Sequence, residues 1–318
     1  MKGSIKKTMK CKIFAFVFMF MFLMCAGTAF AAPAVFFTRN ITPSGLMSVY
    51  EKLGRIPNGN VAVKRSTGEA GNNHYLSPDL IKELVQKFNG TIIEGNTAYG
   101  GSRTSTAMHM QVAEDHGFTK IAKVDILDEY GEIILPVSNA KHIKGDIVGS
   151  HFKNYDFVIT LSHFKGHAMG GFGGAIKNIS IGIASPHGKL RIHTAGASDN
   201  SWLHVNQDDF LESMAEAAKA VSDSLDNGKK IIYINVMNHL SVDCDCDGSP
   251  AEPDMHDIGI LASLDPVAID QACVDLVYKA PDGQSLIRRM ESRHGIHTLE
   301  YAEEIGLGSR SYEFINID

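Results

Sequence analysis

The chain lacks the short motifs that identify the commonest nucleotide-binding and hydrolytic enzymes. Its sequence contains no G-x-S-x-G elbow, no Walker loop and no complete G-x-G-x-x-G fingerprint. These absences argue against the usual hydrolase, kinase and dehydrogenase assignments. The chain also has no proline- and serine-rich run, no low-complexity block and no internal repeat, so we expect no linker within it.

Cysteine is scarce as well, with five in 318 residues. Cys11 and Cys25 lie near the N-terminus, which leaves Cys244, Cys246 and Cys273 in the rest of the chain. Three cysteines are fewer than the four thiolates of a typical iron–sulfur site, so no iron–sulfur cluster is expected. Acids outnumber lysine and arginine by 36 to 30. An acidic chain lacks the basic surface that binds nucleic acid, so no nucleic-acid partner is expected.

Residues 1–31 have the pattern of an export signal. Five lysines flank the start of an unbroken apolar run, Ile13 to Met24, and Ala29-Phe30-Ala31 has the small-x-small form of a cleavage site. The apolar run is short for a bilayer span, which favours cleavage over a membrane anchor. Cleavage would lower the formal charge from −6 to −11, because the segment carries five lysines and no acid. We therefore expect a periplasmic or extracellular protein with no stable membrane span.

Short apolar runs alternate with amphipathic segments along residues 32–318. The apolar runs are typical of buried strands, and several amphipathic segments begin with a serine or aspartate that can cap a helix. The strands are predicted at 34–37, 60–63, 91–94, 121–127, 155–162 and 230–236, and the helices at 44–53, 77–88, 104–117, 208–225 and 265–278. This order predicts an α/β fold, a mostly parallel sheet with helices on both faces in a single large domain. Such sheets bind ligands beyond the carboxyl ends of their strands.

One segment, Leu161 to Lys189, concentrates histidine, lysine and glycine. His163 and His167 are four residues apart, so a helix would place both imidazoles on one face, where they can bind one divalent metal. Lys165 and Lys177 add positive charge and are the candidate catalytic groups. A metal and lysines together can polarise a carbonyl or carboxylate and stabilise developing negative charge.

Glycine backbone and amide side chains in the same segment are candidates for holding a small anion. A glycine has no side chain to keep its amide group away from an anion. The candidate ligand-binding residues here are Gly170, Gly171, Gly173, Gly174 and Asn178. The alternative is a tightly packed glycine turn in which the histidines are merely hydrogen-bonded.

A polar loop after the strand predicted at 91–94 supplies two more candidates. Asn96 lies directly beyond that strand, where a parallel sheet places its ligands. Arg103 can bind a carboxylate with two parallel hydrogen bonds. The alternative for Arg103 is a surface salt bridge.

The cysteine loop, Asp243-Cys244-Asp245-Cys246-Asp247, is the second unusual cluster. Cys244 and Cys246 can ligate zinc or iron together with the histidines, can form a disulfide, or can be inert thiols on an acidic surface loop. The loop follows the strand predicted at 230–236 and should emerge at the same end of the sheet. If a cysteine and a histidine bind the same metal ion, the cysteine sulfur should lie within about 5 Å of a histidine nitrogen.

Four segments closely resemble the uncharacterised domain-of-unknown-function family 362. In chain order they are VAVKRSTGEAGN, IIEGNTAYGGSRTSTAMH, LSHFKGHAMGGFGGAIKNISIGIAS and DIGILASLDPVAIDQA. The resemblance implies an α/β fold, and the family has no established reaction. Members often carry a ferredoxin-like insertion after a G-K-x-x-x-H element, which is Gly188-Lys189 and His193 here. The segment that follows His193 contains no cysteine, so this chain lacks that insertion.

These observations predict an exported protein that binds a divalent metal, zinc or iron, and a small anionic molecule at the strand ends. It is a candidate metal-dependent enzyme. Two alternatives are a non-catalytic periplasmic protein that carries a metal or an anion, and an iron–sulfur redox protein. A catalytic site should lie in a pocket with perturbed histidines, whereas a carrier can expose its cysteines and acids on an open loop.

Overall fold

A computed structural model of the chain describes residues 1, 3 and 31–318. Residues 32–318 form one unit. The predicted export signal lies almost wholly outside the described residues. Within the described part of the chain, no helix combines the length and apolarity needed to cross a membrane.

Eight strands form a central sheet, and seven of them run in the same direction. The strands of the described chain are β1 (Ala34–Thr38), β2 (Val61–Lys64), β3 (Thr91–Glu94), β4 (Val124–Ile126), β5 (Glu132–Pro136), β6 (Gly145–Gly149), β7 (Phe157–His163), β8 (Lys165–His167), β9 (Gly171–Gly173), β10 (Ile231–Met237), β11 (Gly259–Ser263) and β12 (Glu313–Asn316). Their order in the sheet is β12-β1-β11-β10-β7-β2-β3-β4. Only β11 is antiparallel to its neighbours, β1 and β10. The pairs β5–β6 and β8–β9 form two small separate sheets.

Helices connect the strands, and side-chain caps set several of their starts. They are α1 (Pro43–Lys52), α2 (Pro78–Lys87), α3 (Thr106–Asp115), α4 (Ala175–Ile179), α5 (Pro186–His193), α6 (Gln207–Ser224), α7 (Pro266–Lys279), α8 (Gln284–Ser292) and α9 (His297–Glu304). Thr42, Ser77, Ser185 and Asp265 each precede a proline and accept a backbone N–H of the first turn. Proline is tolerated there because its missing N–H would have no partner within the helix.

Both faces of the sheet are covered, as alternate residues of β10 show. Ile231 and Tyr233 belong to one buried core, and Ile232 and Ile234 belong to another. Strand side chains point alternately to opposite faces, so the sheet lies between two hydrophobic layers. The predicted α/β fold with a mostly parallel sheet and helices on both faces is confirmed.

The histidine–glycine segment departs from the predicted helix. His163 ends β7, His167 ends β8, and a tight turn leads into β9, so the two histidines do not share a helix face. Gly166 explains part of this path, because a side chain there would overlap the backbone of Val242. Gly171 adopts a φ of +80°, which glycine reaches without steric cost. The segment therefore folds as a hairpin against the cysteine loop.

Four adjacent parallel strands place their carboxyl ends at one edge of the sheet. Strands β10, β7, β2 and β3 pair in parallel in that order. The chain leaves each of them at this edge, so the segment after β3, the β8–β9 hairpin and the cysteine loop are all brought there.

Candidate functional site

A cavity of about 140 Å³ lies beyond the carboxyl ends of β2, β3 and β7. A cavity of about 150 Å³ engineered into another protein holds a benzene molecule, so this one has room for a small organic molecule. Most of the predicted site residues line it, namely Arg103, His163, Lys165, His167, Gly173, Gly174, Lys177, Asn178, Cys244 and Cys246. The loop after β3, the hairpin and the cysteine loop therefore meet in one place, as the strand directions predict.

Positive charge exceeds negative charge around this cavity. Five cationic side chains line it, Lys64, Arg103, Lys165, Lys177 and Lys189. Two carboxylates line it, Glu94 and Asp245. Because the walls are largely buried, the excess is poorly screened by water and favours an anionic ligand.

Two of the five cations are neutralised by buried carboxylates. Lys165 Nζ lies 2.9 Å from Asp245 Oδ1. Arg103 is not on the surface: its guanidinium lies 3.2 Å from Glu69 and 3.4 Å from Glu94. Both interpretations of Arg103 from the sequence, a free ligand clamp and an exposed salt bridge, therefore differ from the structure.

The other three cations have no carboxylate partner among the described residues. Lys64 Nζ donates to Asn178 Oδ1 and to the Arg65 carbonyl, each at 3.0 Å, and Lys189 donates to the Ala184 carbonyl. Lys177 makes no hydrogen bond or ion pair within the described chain, and its side chain lines the cavity. Lys177 is therefore the cation most available to a ligand.

Burial changes the acidity of these three lysines. Loss of hydration lowers the pKa of Lys64 to about 7, and that of Lys177 and Lys189 to about 8. The positive charge of Arg103 lowers the pKa values of all three lysines further. Near neutral pH each of these lysines can therefore be an ammonium group, which gives up a proton, or a neutral amine, which takes one up. An exposed lysine stays an ammonium group at this pH.

Asp245, the middle residue of the cysteine loop, joins the loop to the end of β7. It accepts from Lys165 and lies 3.0 Å from His163 Nδ1. Burial alone would raise its pKa, but the charges and hydrogen bonds of His163 and Lys165 hold the pKa of Asp245 well below its usual range. His163 Nε2 lies 2.6 Å from the Asn238 carbonyl. Both ring nitrogens of His163 are thus occupied, and neither is free for a metal.

His167 and the two loop cysteines form a candidate metal-ligand group. One donor atom from each of His167, Cys244 and Cys246 lies within 4.8 Å of the others, which confirms the predicted approach of cysteine to histidine. The two sulfurs, however, are joined as a disulfide and carry no thiolate charge. His167 Nδ1 accepts the amides of Met169 and Gly170, so the neutral ring carries its proton on Nε2. In this oxidised state the three side chains do not fit a metal.

Three predicted ligand-binding residues lie outside the cavity lining. The Asn96 side chain turns to Asp128 and His109. The Gly170 amide donates to His167 Nδ1 at 2.9 Å. Gly171 packs against Met290 at the end of the hairpin turn. The structure thus places these three residues away from the cavity wall, in contacts with residues that are distant in sequence or across the turn.

The sequence analysis missed several cavity residues that carry chemistry, including both carboxylates, Glu94 and Asp245. Lys64 and Lys189 stand in an apolar strand and on a helix, where their isolated positions do not suggest a site. Trp202 and His193 also line the cavity, and burial lowers the pKa of His193 to about 4. The family resemblance contained a signal for three of these residues, since VAVK ends on Lys64 and the G-K-x-x-x-H element holds Lys189 and His193.

The chain belongs to the family described as domain of unknown function (DUF362), whose sequence profile matches residues 61–275. The match includes every residue that lines the cavity. No curated protein matches the chain in sequence.

Two solved structures are similar to the chain at low identity. The lactate racemase apoprotein from Thermoanaerobacterium thermosaccharolyticum is 11% identical, with a TM-score of 0.41 over 65% of this chain and 51% of that protein. A protein from Thermotoga maritima is 11% identical, with a TM-score of 0.40 over 82% of this chain and 58% of that protein. The chain thus spans between half and three-fifths of either protein.

The buried carboxylate of Asp245 provides a test of the site's architecture. Asp245→Asn leaves the buried ammonium of Lys165 without its counterion and His163 without its carboxylate partner, so the free energy of unfolding at pH 7 should fall by about 3–5 kcal/mol. A carboxylate whose pKa is depressed on folding stabilises above its unfolded pKa, and this stabilisation is lost as pH falls. The difference between wild type and variant should therefore shrink by about 1 kcal/mol between pH 4 and pH 3 in urea denaturation.

Asp243→Asn is the matched control for this test. Asp243 lies in the same loop, but its ion pair with Arg289 is partly exposed, so its loss should cost less than about 1 kcal/mol. Equal losses for the two variants would show that Asp245 has no special role in holding the loop to the strand.

Proposed function

We propose that the cavity binds a small anionic molecule, with Lys177 as its first contact. The observation that carries the proposal is the Lys177 ammonium, which has no partner among the described residues and lines a cavity with more cations than carboxylates. A bound anion would supply the missing negative charge. It would also lower the free-energy cost of burying the charged side chains of Lys64 and Lys189.

The lysines, rather than the glycine amides, would hold most of the anion's charge. The amides of Ala175 and Ile176, which begin α4, both donate to the buried carboxylate of Asp270 at 2.7 and 3.0 Å. A side chain at Gly174 would overlap that carboxylate. The glycine therefore allows Asp270 to hold the start of α4, which presents Lys177 and Asn178 to the cavity.

An enzymatic role is favoured over a carrier by the enclosure of the site. Asp245 is buried, the cysteines are half-buried, and burial lowers the pKa of His167 and His193. A carrier with acids and thiols on an open loop would show none of these features. Lys177, with a pKa of about 8, can exchange a proton with a bound molecule near neutral pH.

Metal binding in the cavity is proposed to depend on the oxidation state of the cysteine loop. Reduction would release two thiolates beside His167, and a set of two sulfurs and one imidazole suits zinc or iron. We propose further that the protein is exported, since a disulfide between Cys244 and Cys246 persists in an oxidising compartment.

Anion binding is tested by Lys177→Ala in calorimetric titrations with sulfate and with oxalate at pH 7. The variant loses a charged hydrogen-bond donor worth about 1.5–3 kcal/mol, so its affinity for the anion that wild type binds should fall about 10- to 150-fold. Its thermal stability should not fall, because a poorly compensated buried charge is removed.

Lys229→Ala is the control for this titration. Lys229 is largely exposed and pairs with Asp226, far from the cavity lining, so anion affinity should be unchanged. Equal affinity of wild type and Lys177→Ala for both anions would contradict the proposed contact.

The redox-dependent metal site is tested by zinc content before and after reduction. The untagged protein is dialysed against zinc with and without prior reduction, and bound metal is measured by elemental analysis. Reduction should add about one zinc per chain, and Cys244→Ser should abolish this increment, because a thiolate ligand is lost. An identical zinc content in both states would contradict the proposal.

A further inference from the structure

A second cluster of histidines and carboxylates lies where the start of α6 meets the turn between α8 and α9. His294 Nδ1 is 2.7 Å from Asp208 Oδ1, and His297 Nε2 is 3.0 Å from Glu212 Oε1. One donor atom from each of Asp208, His294 and His297 lies within 4.8 Å of the other two. None of these residues lines the cavity described above.

The spacing of these residues in sequence suits a shared ligand. Asp208 and Glu212 are four apart on α6, and residues at this spacing lie on one face of a helix. His294 and His297 are three apart, and their ring centroids lie 5.1 Å apart with an angle of 10° between the ring planes, so one ring would turn for both nitrogens to face one ion. His294 adopts a φ of +51°, a conformation that non-glycine residues seldom take and that often marks functional positions.

We propose that Asp208, Glu212, His294 and His297 bind one divalent transition-metal ion of the zinc class. Tetrahedral ligands with bonds of about 2.0–2.2 Å have donor atoms roughly 3.3 Å apart. Donor atoms of Asp208, His294 and His297 already lie within 4.8 Å of one another and would close toward this spacing around an ion. Glu212 Oε1, now 3.0 Å from His297 Nε2, would turn from its present partners to become the fourth ligand. Two imidazoles with two carboxylates favour zinc over calcium or magnesium, which prefer all-oxygen sites.

Neighbouring side chains are placed to orient the ligands. Glu300 lies 3.5 Å from His297 Nδ1, the nitrogen that would not face the metal. His142 Nε2 lies 2.6 Å from the other oxygen of Glu212. Such outer partners fix the direction of metal ligands. A bound metal would link α6 to the turn before α9, where Asp208 and Glu212 now form hydrogen bonds with His294 and His297.

One cation competes with the proposed metal. Lys141 Nζ lies 2.6 Å from Glu212 Oε2, and its side chain is 57% exposed, so it can turn into solvent when a metal binds. The positive end of the α6 dipole also opposes a cation, but it amounts to only about half a charge against two full carboxylates.

The proposal is tested by calorimetric titration of the untagged full-length chain with zinc chloride, without reductant, so that Cys244 and Cys246 stay disulfide-bonded. Wild type should bind one zinc per chain at this site. His294→Ala should weaken that binding by at least about tenfold. Loss of a residue that only orients a metal ligand already lowers metal affinity about tenfold, and His294 is proposed as a ligand itself. Lys141→Ala should strengthen it by about two- to fivefold, the effect of removing one exposed competing charge.

His256→Ala is a closely matched control. His256 also has its Nδ1 2.7 Å from an aspartate, Asp282, and its side chain is 53% exposed, as is that of His294. Zinc affinity should be unchanged in this variant. The proposal is overturned if wild type binds no zinc, or if His294→Ala and His256→Ala have equal effects. It is also overturned if only His142→Ala removes the zinc, which would place the ion with His142, Asp209 and Glu212 instead.

Discussion

Burying more ammonium groups than carboxylates costs free energy, and the surroundings of the cavity limit that cost. Each buried carboxylate serves more than one cationic or polar partner. Asp245 serves His163 and Lys165, and Glu94 accepts from Thr67, Arg103 and His109. The charge of Lys64 is met only by neutral oxygens, and that of Lys177 by no partner in the described chain. The residual cost appears as lowered lysine pKa values, and an anionic ligand would relieve it.

The same edge of the sheet depends on close backbone approach. Gly166 allows the β8 strand to lie against the backbone of Val242, which brings the cysteine loop to the cavity. Gly174 allows Asp270 to reach the first amides of α4, and Asn235 supplies a further hydrogen bond of 2.7 Å to the same carboxylate. The glycines in this segment thus act mainly through packing, and the charged side chains they position determine what can bind.

The fold and the location of the site could be predicted because they depend on local patterns. Alternating strands and capped helices indicated a parallel sheet. The direction of its strands was enough to predict that the histidine segment and the cysteine loop meet, as His167, Cys244 and Cys246 do. The conformation of the histidine segment could not be predicted in this way, because a four-residue spacing is compatible with a helix or with a hairpin. The hairpin is selected by Gly166 packing on Val242, a contact between residues far apart in sequence.

The partners of individual site residues could not be predicted for the same reason. Asn96 is drawn away from the cavity by Asp128, and Arg103 is neutralised by Glu69, 34 residues earlier. Lys64 was overlooked because a single lysine at the end of a buried strand gives no motif. Such pairings between distant segments leave no regular spacing in the sequence.

Proton uptake on anion binding is the most direct measure of whether partly deprotonated lysines form the site. Sulfate is titrated at pH 8 in two buffers of different ionisation enthalpy. Because Lys177 and Lys189 have pKa values of about 8, a bound anion should draw them toward the ammonium form. The account predicts a net uptake of protons and an affinity that falls as pH rises above about 8. Binding with no proton uptake, and with an affinity independent of pH between 7 and about 9.5, would contradict it.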